Sequence, residues 1–486
     1  MKFLDQNQRN QIGISYIMDN LEITTTYGMD YCKHIKPFTE KTLLEKEFEN
    51  LAIMIEAKKN NVAIFDELGY LFCKIKDIRK ILKRLERKET LDEVELFEIK
   101  NFSILSNQVK HLVDLLKLEI KELELEPLDE IIKLLDPQDT GHTTFYIYDE
   151  YSQRLKDIRK EKRKIEKMIY AVADEDQQAW RDKRLEWVVS ENEEMLNICE
   201  ALSASLVEYV SFLRQNTEVM GRLDFLIAKA LMAIKTKATR PLLVDDKVMS
   251  LEAAVHPEVQ QILSKKGKLF TPISIELKKG TTIITGANMG GKSVALKTLV
   301  LNLMLAHLGF YAFAERLTTP LFEFIYFISD DMQSVSKGLS TFGAEIIKLK
   351  EVVESAKLFN GFIALDEFAR GTNPKEGFYL VKSLAAYLND FESISLISTH
   401  YDGVVGLGMD HYQVMGLKHV DFTKLKQKIC LNKGHSVDII QEHMDYRLEK
   451  VCKNSSVPKD ALNIAMLLGL EEKIVDIARI FYDSEE

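Results

Sequence analysis

The sequence predicts an α/β domain built on a mostly parallel sheet, preceded by an all-α region and followed by further helices. Three observations carry this prediction. Residues 1–240 place apolar side chains at helical spacing and contain few glycines. From residue 241 onward, short β-rich runs alternate with amphipathic stretches, the pattern of strands joined by crossover helices. One of these runs ends in a glycine-rich turn, Gly286 to Gly291, that opens directly into a helical stretch.

In the helical region, residues 41–58 put Leu43, Leu44, Phe48, Leu51 and Ile55 on one helix face. Residues 78–85, 109–135, 155–169 and 202–234 repeat that spacing. Helices this long, charged on their outer faces, predict a helical scaffold with a short stalk hairpin near residues 150–220. Residues 171–178, AVADEDQQ, interrupt two charged helices and mark the hairpin tip. The helix before the tip is basic through Arg154, Lys156, Arg159, Lys160, Lys162, Arg163, Lys164 and Lys167. Such a run is by default a solvated helix face; the alternative is a basic arm that touches phosphates. In the α/β region the expected strands are residues 281–285, 324–328, 362–366 and 394–398. After about residue 420 the chain is expected to be helical again, through 460–468 and 471–482.

A chain of 486 residues fits two to four domains at ~100–200 residues each. Apolar residues at 46% and charged residues at 29% exclude wholesale disorder. Lys+Arg total 65 against 75 Asp+Glu, a net charge of −10, so any nucleic-acid role must rest on a local patch or on enclosure. Five cysteines without a CxxC pair fit reduced thiols rather than a disulfide framework or zinc site. The N-terminus MKFLDQNQRN lacks the apolar core of a signal peptide. The most apolar stretch, residues 294–313, carries Lys297, Asn302 and His307 and reads as a buried helix rather than a membrane span. A cytoplasmic protein is expected.

The strongest local signal is TIITGANMGGKSVALKTL, residues 282–299, which contains Gly286-x-x-x-x-Gly291-Lys292-Ser293. Glycines allow successive backbone N–H groups to turn inward around phosphate oxygens. The candidate phosphate cradle is Gly286, Ala287, Asn288, Met289, Gly290, Gly291, Lys292 and Ser293. Lys292 can reach the β- and γ-phosphates, Ser293 can ligate Mg²⁺, and the following helix aims its positive N-terminus at the anion. Downstream, FIALDE, residues 362–367, is an apolar run ending in two acids. Asp366 is the candidate to hold Mg²⁺ through water, and Glu367 the candidate to orient or deprotonate an attacking water. Ser398-Thr399-His400-Tyr401 follows another apolar run; His400 is either a γ-phosphate sensor or water holder, or a structural histidine.

These residues carry a resemblance to the MutS family. TGANMGGKS resembles its phosphate loop; Asp330-Asp331, Ser340-Thr341-Phe342 and Glu345 resemble its signature loop. LDEFARGTNPKEG, residues 365–377, resembles its second nucleotide motif, and STHY, residues 398–401, its switch segment. More weakly, Leu21-Glu22-Ile23, Thr26 and Gly28 resemble the start of the family's helical core. Leu223-Asp224, Arg240-Pro241 and His256-Pro257 resemble markers before its ATPase domain. Residues 461–470 and the last helix resemble C-terminal helices that lock two ATPase domains together.

The resemblance implies an ABC-type P-loop ATPase, hydrolysing ATP with Mg²⁺ and working as a homodimer or with a related MutS-like partner. The implied division is a helical core and lever over 1–240, an ATPase domain over 241–425 and a dimerising helical segment over 426–486. Ser340 and Thr341 would act in trans on the partner's nucleotide, with Asn288 near the shared interface. Phe270, in KLFTPI, matches the aromatic that stacks on adenine, with a core aromatic as the equal alternative. The family usually has Pro at the place of Ala287 and Gly at the place of Ala369.

Core markers beginning at Leu21 leave no room ahead of them for the family's mismatch-recognition and connector domains. No apolar wedge for base-step insertion is present, and no nuclease-type extension is expected after the ATPase domain. The stalk tip, Asp174, Glu175 and Asp176, is acidic and repels phosphate. Two functions follow. One is an ATP-driven switch on DNA structure that does not read mismatches. The other is a remodeller that reactivates a cobalamin-dependent amino-acid aminomutase, a role associated with some short MutS-like proteins.

Overall fold

Helices start here where a side chain can satisfy the free N–H groups of a first turn. Asp92 accepts from the Glu95 N–H at 2.8 Å while Glu95 accepts from the Asp92 N–H at 3.0 Å, opening the helix Glu93–Leu116. Asp5 and Gln8 make the same reciprocal pair at the helix Gln6–Gln11. The computed structural model describes residues 3–138, 146–171, 177–286, 291–329, 341–417, 420, 425, 443–451 and 460–484.

The chain forms two compact units: Glu22–Ile35 with Asn50–Leu231, and Met1–Leu21 with Lys36–Glu49 and Met232–Glu486. A single cut at residue 240 is therefore not how the chain compacts. Its first 21 residues and residues 36–49 go with the unit that carries the sheets.

The first unit is helical, and its apolar stripes meet in a core that includes Phe65, Leu68, Ile99, Phe102, Leu213 and Leu223. Charged groups inside it are compensated. Lys100 Nζ lies 2.9 Å from Asp136 Oδ2, both side chains almost fully buried. Asp224 accepts from the N–H groups of Thr24 and Thr25 and from the Thr25 hydroxyl, at the N-terminus of Thr26–His34. Burial raises the Asp224 carboxyl above its ordinary value, and these hydrogen bonds pull it back.

Helices Gln153–Ala171 and Gln177–Leu206 pair along their lengths, Arg154 with Glu194, Arg159 with Glu191 and Arg184 with Glu166. The falling partner numbers make the pair antiparallel. The acidic tip at 174–176 lies outside the described residues. The basic run is partly used inside the hairpin. Arg159 is only 5% exposed, 2.6 Å from Asp149 and 2.9 Å from Glu191, while Lys162 also pairs with Glu191 and Lys164 with Glu161. Arg159 is a structural cation, not a phosphate contact; Lys156, Lys160, Arg163 and Lys167 stay exposed. Within this all-helical stretch, Gln178–Thr236 reaches the length and apolarity of a membrane span. Core helices of water-soluble proteins meet the same measure.

The second unit holds two sheets. The strands are β1 (Leu242–Leu243), β2 (Val248–Ala254), β3 (Ile273–Lys278), β4 (Gly280–Thr285), β5 (Arg316–Thr319), β6 (Phe324–Ser329), β7 (Gly361–Asp366), β8 (Ile394–Ser398), β9 (Asp410–Gly416) and β10 (Asp445–Lys450). One sheet runs β1-β5-β2-β3; the other runs β10-β9-β4-β8-β7-β6, parallel except for β10. The expected strands are β4, β6, β7 and β8. The helical expectation after residue 420 fails at Asp445–Lys450, which pairs antiparallel with β9. Helices Asp460–Leu467 and Glu472–Ser484 follow.

One face of the larger sheet, through Ile283, Tyr326, Ile363, Leu365 and Ile397, packs on Val352, Val381, Leu384 and Leu388 of helices Thr341–Ala356 and Pro374–Asn389. The helix Lys292–His307 packs against β7 and β8 and against β2 of the smaller sheet. Burial between two sheets explains why this helix is apolar on nearly every face. At the outer edge, Gln8 donates its side-chain amide to the Phe327 carbonyl of β6, and the Ser329 hydroxyl donates to Gln11. The helix Gln6–Gln11 thus occupies part of an otherwise free strand edge.

Candidate functional site

β4, β7 and β8 are parallel and end together, because Ile284 and Asp366 both stand opposite Ser398 in the register. Loops leaving the carboxyl ends of parallel strands are the usual ligand crevice of such sheets. Gly286 leaves β4 at φ +140° and Gly291 precedes the helix Lys292–His307 at φ +83°. A Cβ on Gly291 would stand 2.9 Å from the Tyr446 ring of β10, so the turn needs glycine for space as well as for angle. Ala287, Asn288, Met289 and Gly290 lie outside the described residues.

Lys292 is the second residue to meet this edge. Its side chain is 2% exposed, donates to the Gly286 carbonyl at 2.7 Å and lies 3.4 Å from Glu367 Oε1. Burial pushes the ammonium below its ordinary value, and Glu367 pulls it back. Ser293 donates to Asp366 Oδ1 at 3.1 Å, and Ser398 donates to the same oxygen at 2.6 Å. Burial raises the Asp366 carboxyl and the two hydroxyls lower it. The Glu367 N–H donates to both the carbonyl and the hydroxyl of Ser398, each at 3.1 Å. Ser398 therefore ties both acids to β8. The sequence shows it only as the first letter of a motif; its role depends on strand register.

The turn after β7 departs from ordinary backbone. Glu367 has φ +47° and Ala369 has φ +62°, a region that L-residues avoid. The turn is held from within by the Arg370 N–H on the Glu367 carbonyl at 3.3 Å and from outside by Glu345. Glu345 is buried on the helix Thr341–Ala356 and accepts from the Ala369 N–H at 3.2 Å. Arg370 Nη1 donates to Glu367 Oε2 at 2.7 Å. No signal in the sequence points to this last bond.

Thr399 donates to the Ile284 carbonyl at 2.9 Å, which fixes the segment leading to His400 beside β4. Partial burial holds the His400 imidazole below its ordinary value, against the pull of Glu367. Phe270 is half-buried. It does not directly precede the phosphate-loop strand: β3 stands between it and β4. Ser340, Asp330 and Asp331 lie outside the described residues, and Thr341 is the first residue of the helix Thr341–Ala356. Lys292, Ser293, Asp366, Glu367 and His400 thus all lie at one sheet edge.

Fold and site together define a mixed α/β domain, carried with a helical region. Residues 282–475 match the family model for MutS domain V, and this match supports a MutS-family protein. An Endonuclease MutS2 of Lactococcus lactis subsp. lactis is 26% identical over 515 residues, covering 94% of this chain and 62% of the relative. An Endonuclease MutS2 of Bacillus cytotoxicus is 29% identical over 294 residues, covering 60% of this chain and 34% of the relative. The chain thus spans under two thirds of the length of these curated relatives.

Proposed function

We propose that the chain is an ATP hydrolase of the P-loop, ABC-type kind, a cytoplasmic dimeric switch that acts on DNA structure. The observation that carries this reading is the convergence of Lys292, Ser293, Asp366 and Glu367 at the ends of β4 and β7. A buried ammonium, a hydroxyl and two carboxylates are the groups that phosphoryl transfer to water requires.

Lys292 exchanges its contacts to Gly286 and Glu367 for the β- and γ-phosphate oxygens of ATP. The Ser293 hydroxyl and the Asp366 carboxylate, already within hydrogen-bond distance of each other, are the residues that would hold Mg²⁺. Held by Ser293 and Asp366, Mg²⁺ would supply neutralisation of charge on the phosphates. Glu367, freed from Lys292, orients the attacking water and takes its proton, with His400 beside it. Gly286–Gly291 backbone N–H groups cradle the phosphates, Phe270 stacks on the adenine, and Ser340 and Thr341 reach the partner's nucleotide. Residues 426–486 dimerise. Ile474, Ile477 and Phe481 support this, standing exposed at helical spacing on Glu472–Ser484.

The MutS2 relatives, named endonucleases, direct the client assignment toward DNA. A second reading, a remodeller of a protein such as a cobalamin-dependent aminomutase, is favoured by the net charge of −10 and by the internal pairing of Arg159, Lys162 and Lys164. The test is ATP hydrolysis with Mg²⁺ by the wild type, Lys292→Ala and Glu367→Gln, alone and with DNA duplexes, junctions or candidate aminomutases. Lys292→Ala is expected to abolish ATP binding. Glu367→Gln is expected to bind ATP, lose turnover and persist as a closed dimer. Unchanged hydrolysis by Glu367→Gln overturns its role, and the additive that stimulates turnover identifies the client.

A further inference from the structure

Glu367 is gripped at both carboxylate oxygens by two cations with different fates. Oε1 faces Lys292 at 3.4 Å, and Oε2 accepts from Arg370 at 2.7 Å. A phosphate draws Lys292 away, because the same buried ammonium is the one that meets the nucleotide. Arg370 stays, because it belongs to the same turn as Glu367 and closes that turn with its own N–H. Its guanidinium is 49% exposed.

We propose that Arg370 is a positioning residue for hydrolysis. It pins Oε2, so that Oε1 is the oxygen released toward the attacking water when Lys292 moves to the phosphates. A glutamate carboxylate otherwise turns through a broad, roughly two-fold torsion. The Glu367 backbone is held at φ +47° by its bonds to Ser398 and Arg370, but this does not fix the carboxylate torsion. General-base catalysis depends on geometry before it depends on basicity, and misorientation alone costs large factors in rate. The bond is charge-assisted and bounded by a four-residue turn, which makes it short and directional.

This inference rests on the ATPase reading with Glu367 as the water-orienting base. The test compares steady-state ATP hydrolysis and ATP affinity in the wild type, Arg370→Ala, Arg370→Lys, Glu367→Gln and the Arg370→Ala/Glu367→Gln pair. Arg370→Ala is expected to lower kcat about 10–100-fold while KM and ATP affinity stay within about twofold. Arg370→Lys is expected to restore part of kcat, since an ammonium reaches the carboxylate without the planar fork. In the Glu367→Gln background the Arg370 change is expected to add nothing further.

Retained kcat in Arg370→Ala overturns the inference, as does a loss of ATP affinity that matches the loss of kcat. A loss fully additive with Glu367→Gln overturns it as well. Should Arg370→Ala not fold, Arg370→Lys carries the test, with a lowered kcat at unchanged KM expected and wild-type kcat overturning the inference. A wild type without turnover overturns the ATPase reading itself, whereas an active wild type with an unimpaired Arg370→Ala overturns only the positioning role.

Discussion

Ala369 is fully buried and has φ +62°. An L-residue with this backbone costs roughly 1–2 kcal/mol, and the extra freedom of unfolded glycine offsets up to about 1 kcal/mol of the relief. Ala369→Gly is therefore expected to raise stability on the order of 0.5–1 kcal/mol, read from the midpoint of urea denaturation. A lower midpoint would mean that the buried methyl contributes more than the strain costs. The glycine usual in the family at this place has the same physical cause. Lys292, Ser293, Asp366 and Glu367 are legible in the sequence because their chemistry fixes both residue type and spacing. Ser398 and Arg370 are not, because their contacts depend on strand register and side-chain torsion.

Thr341–Ala356 is an amphipathic helix on the sheet, yet it buries a glutamate, Glu345, against the Ala369 N–H. The helix thereby braces the turn that carries Glu367. Glu345→Ala leaves that buried N–H unpaired, and an orphaned buried donor costs about 1–3 kcal/mol. The expected result is a lower denaturation midpoint together with slower ATP hydrolysis; Glu345→Gln, which keeps an acceptor, is expected to lie between. Strands β4, β6, β7 and β8 are legible because burial on both faces makes them continuous apolar runs. β3, ISIELK, alternates buried and exposed residues and carries a period-two signal that its charges obscure. β10, DYRLEK, is an edge strand without a fully buried side chain, Tyr446 being half-buried, so its sequence carries no apolar strand pattern.

Acid stability is a property of the whole sheet-bearing unit. Burial lowers both His256 and His307 from 6.5 to about 4. The His307 ring accepts from the Phe322 N–H at 3.0 Å and lies 2.9 Å from the Leu303 carbonyl, which fixes it neutral. With folded values below the unfolded one, the unfolded chain binds more protons between pH 6.5 and 4. Stability is complete above that window and is lost as pH falls through it, by roughly 3 kcal/mol per histidine. Asp366 works the other way above 3.8, since burial raises it in the folded state. Denaturation midpoints at pH 7, 5.5 and 4.5 are expected to fall in that order, with a shallower fall in His307→Gln. A flat profile would remove the histidines from the account. The discontinuous make-up of this unit has no local signature, because it rests on contacts between distant segments.

The seat of Gln8 on Phe327 spans 319 residues of chain. At a synthesis rate of ~5–20 residues per second, roughly 16–64 s separate the emergence of these two partners from the ribosome. Glu22–Ile35 and Asn50–Leu231 are by then complete and free to fold. Leu4, Ile12 and Ile17, at 2%, 0% and 2% exposure in the finished fold, spend that interval without the strands of their own unit. These residues are made well before the strands they pack on, so the nascent chain displays them to chaperones until the sheet arrives.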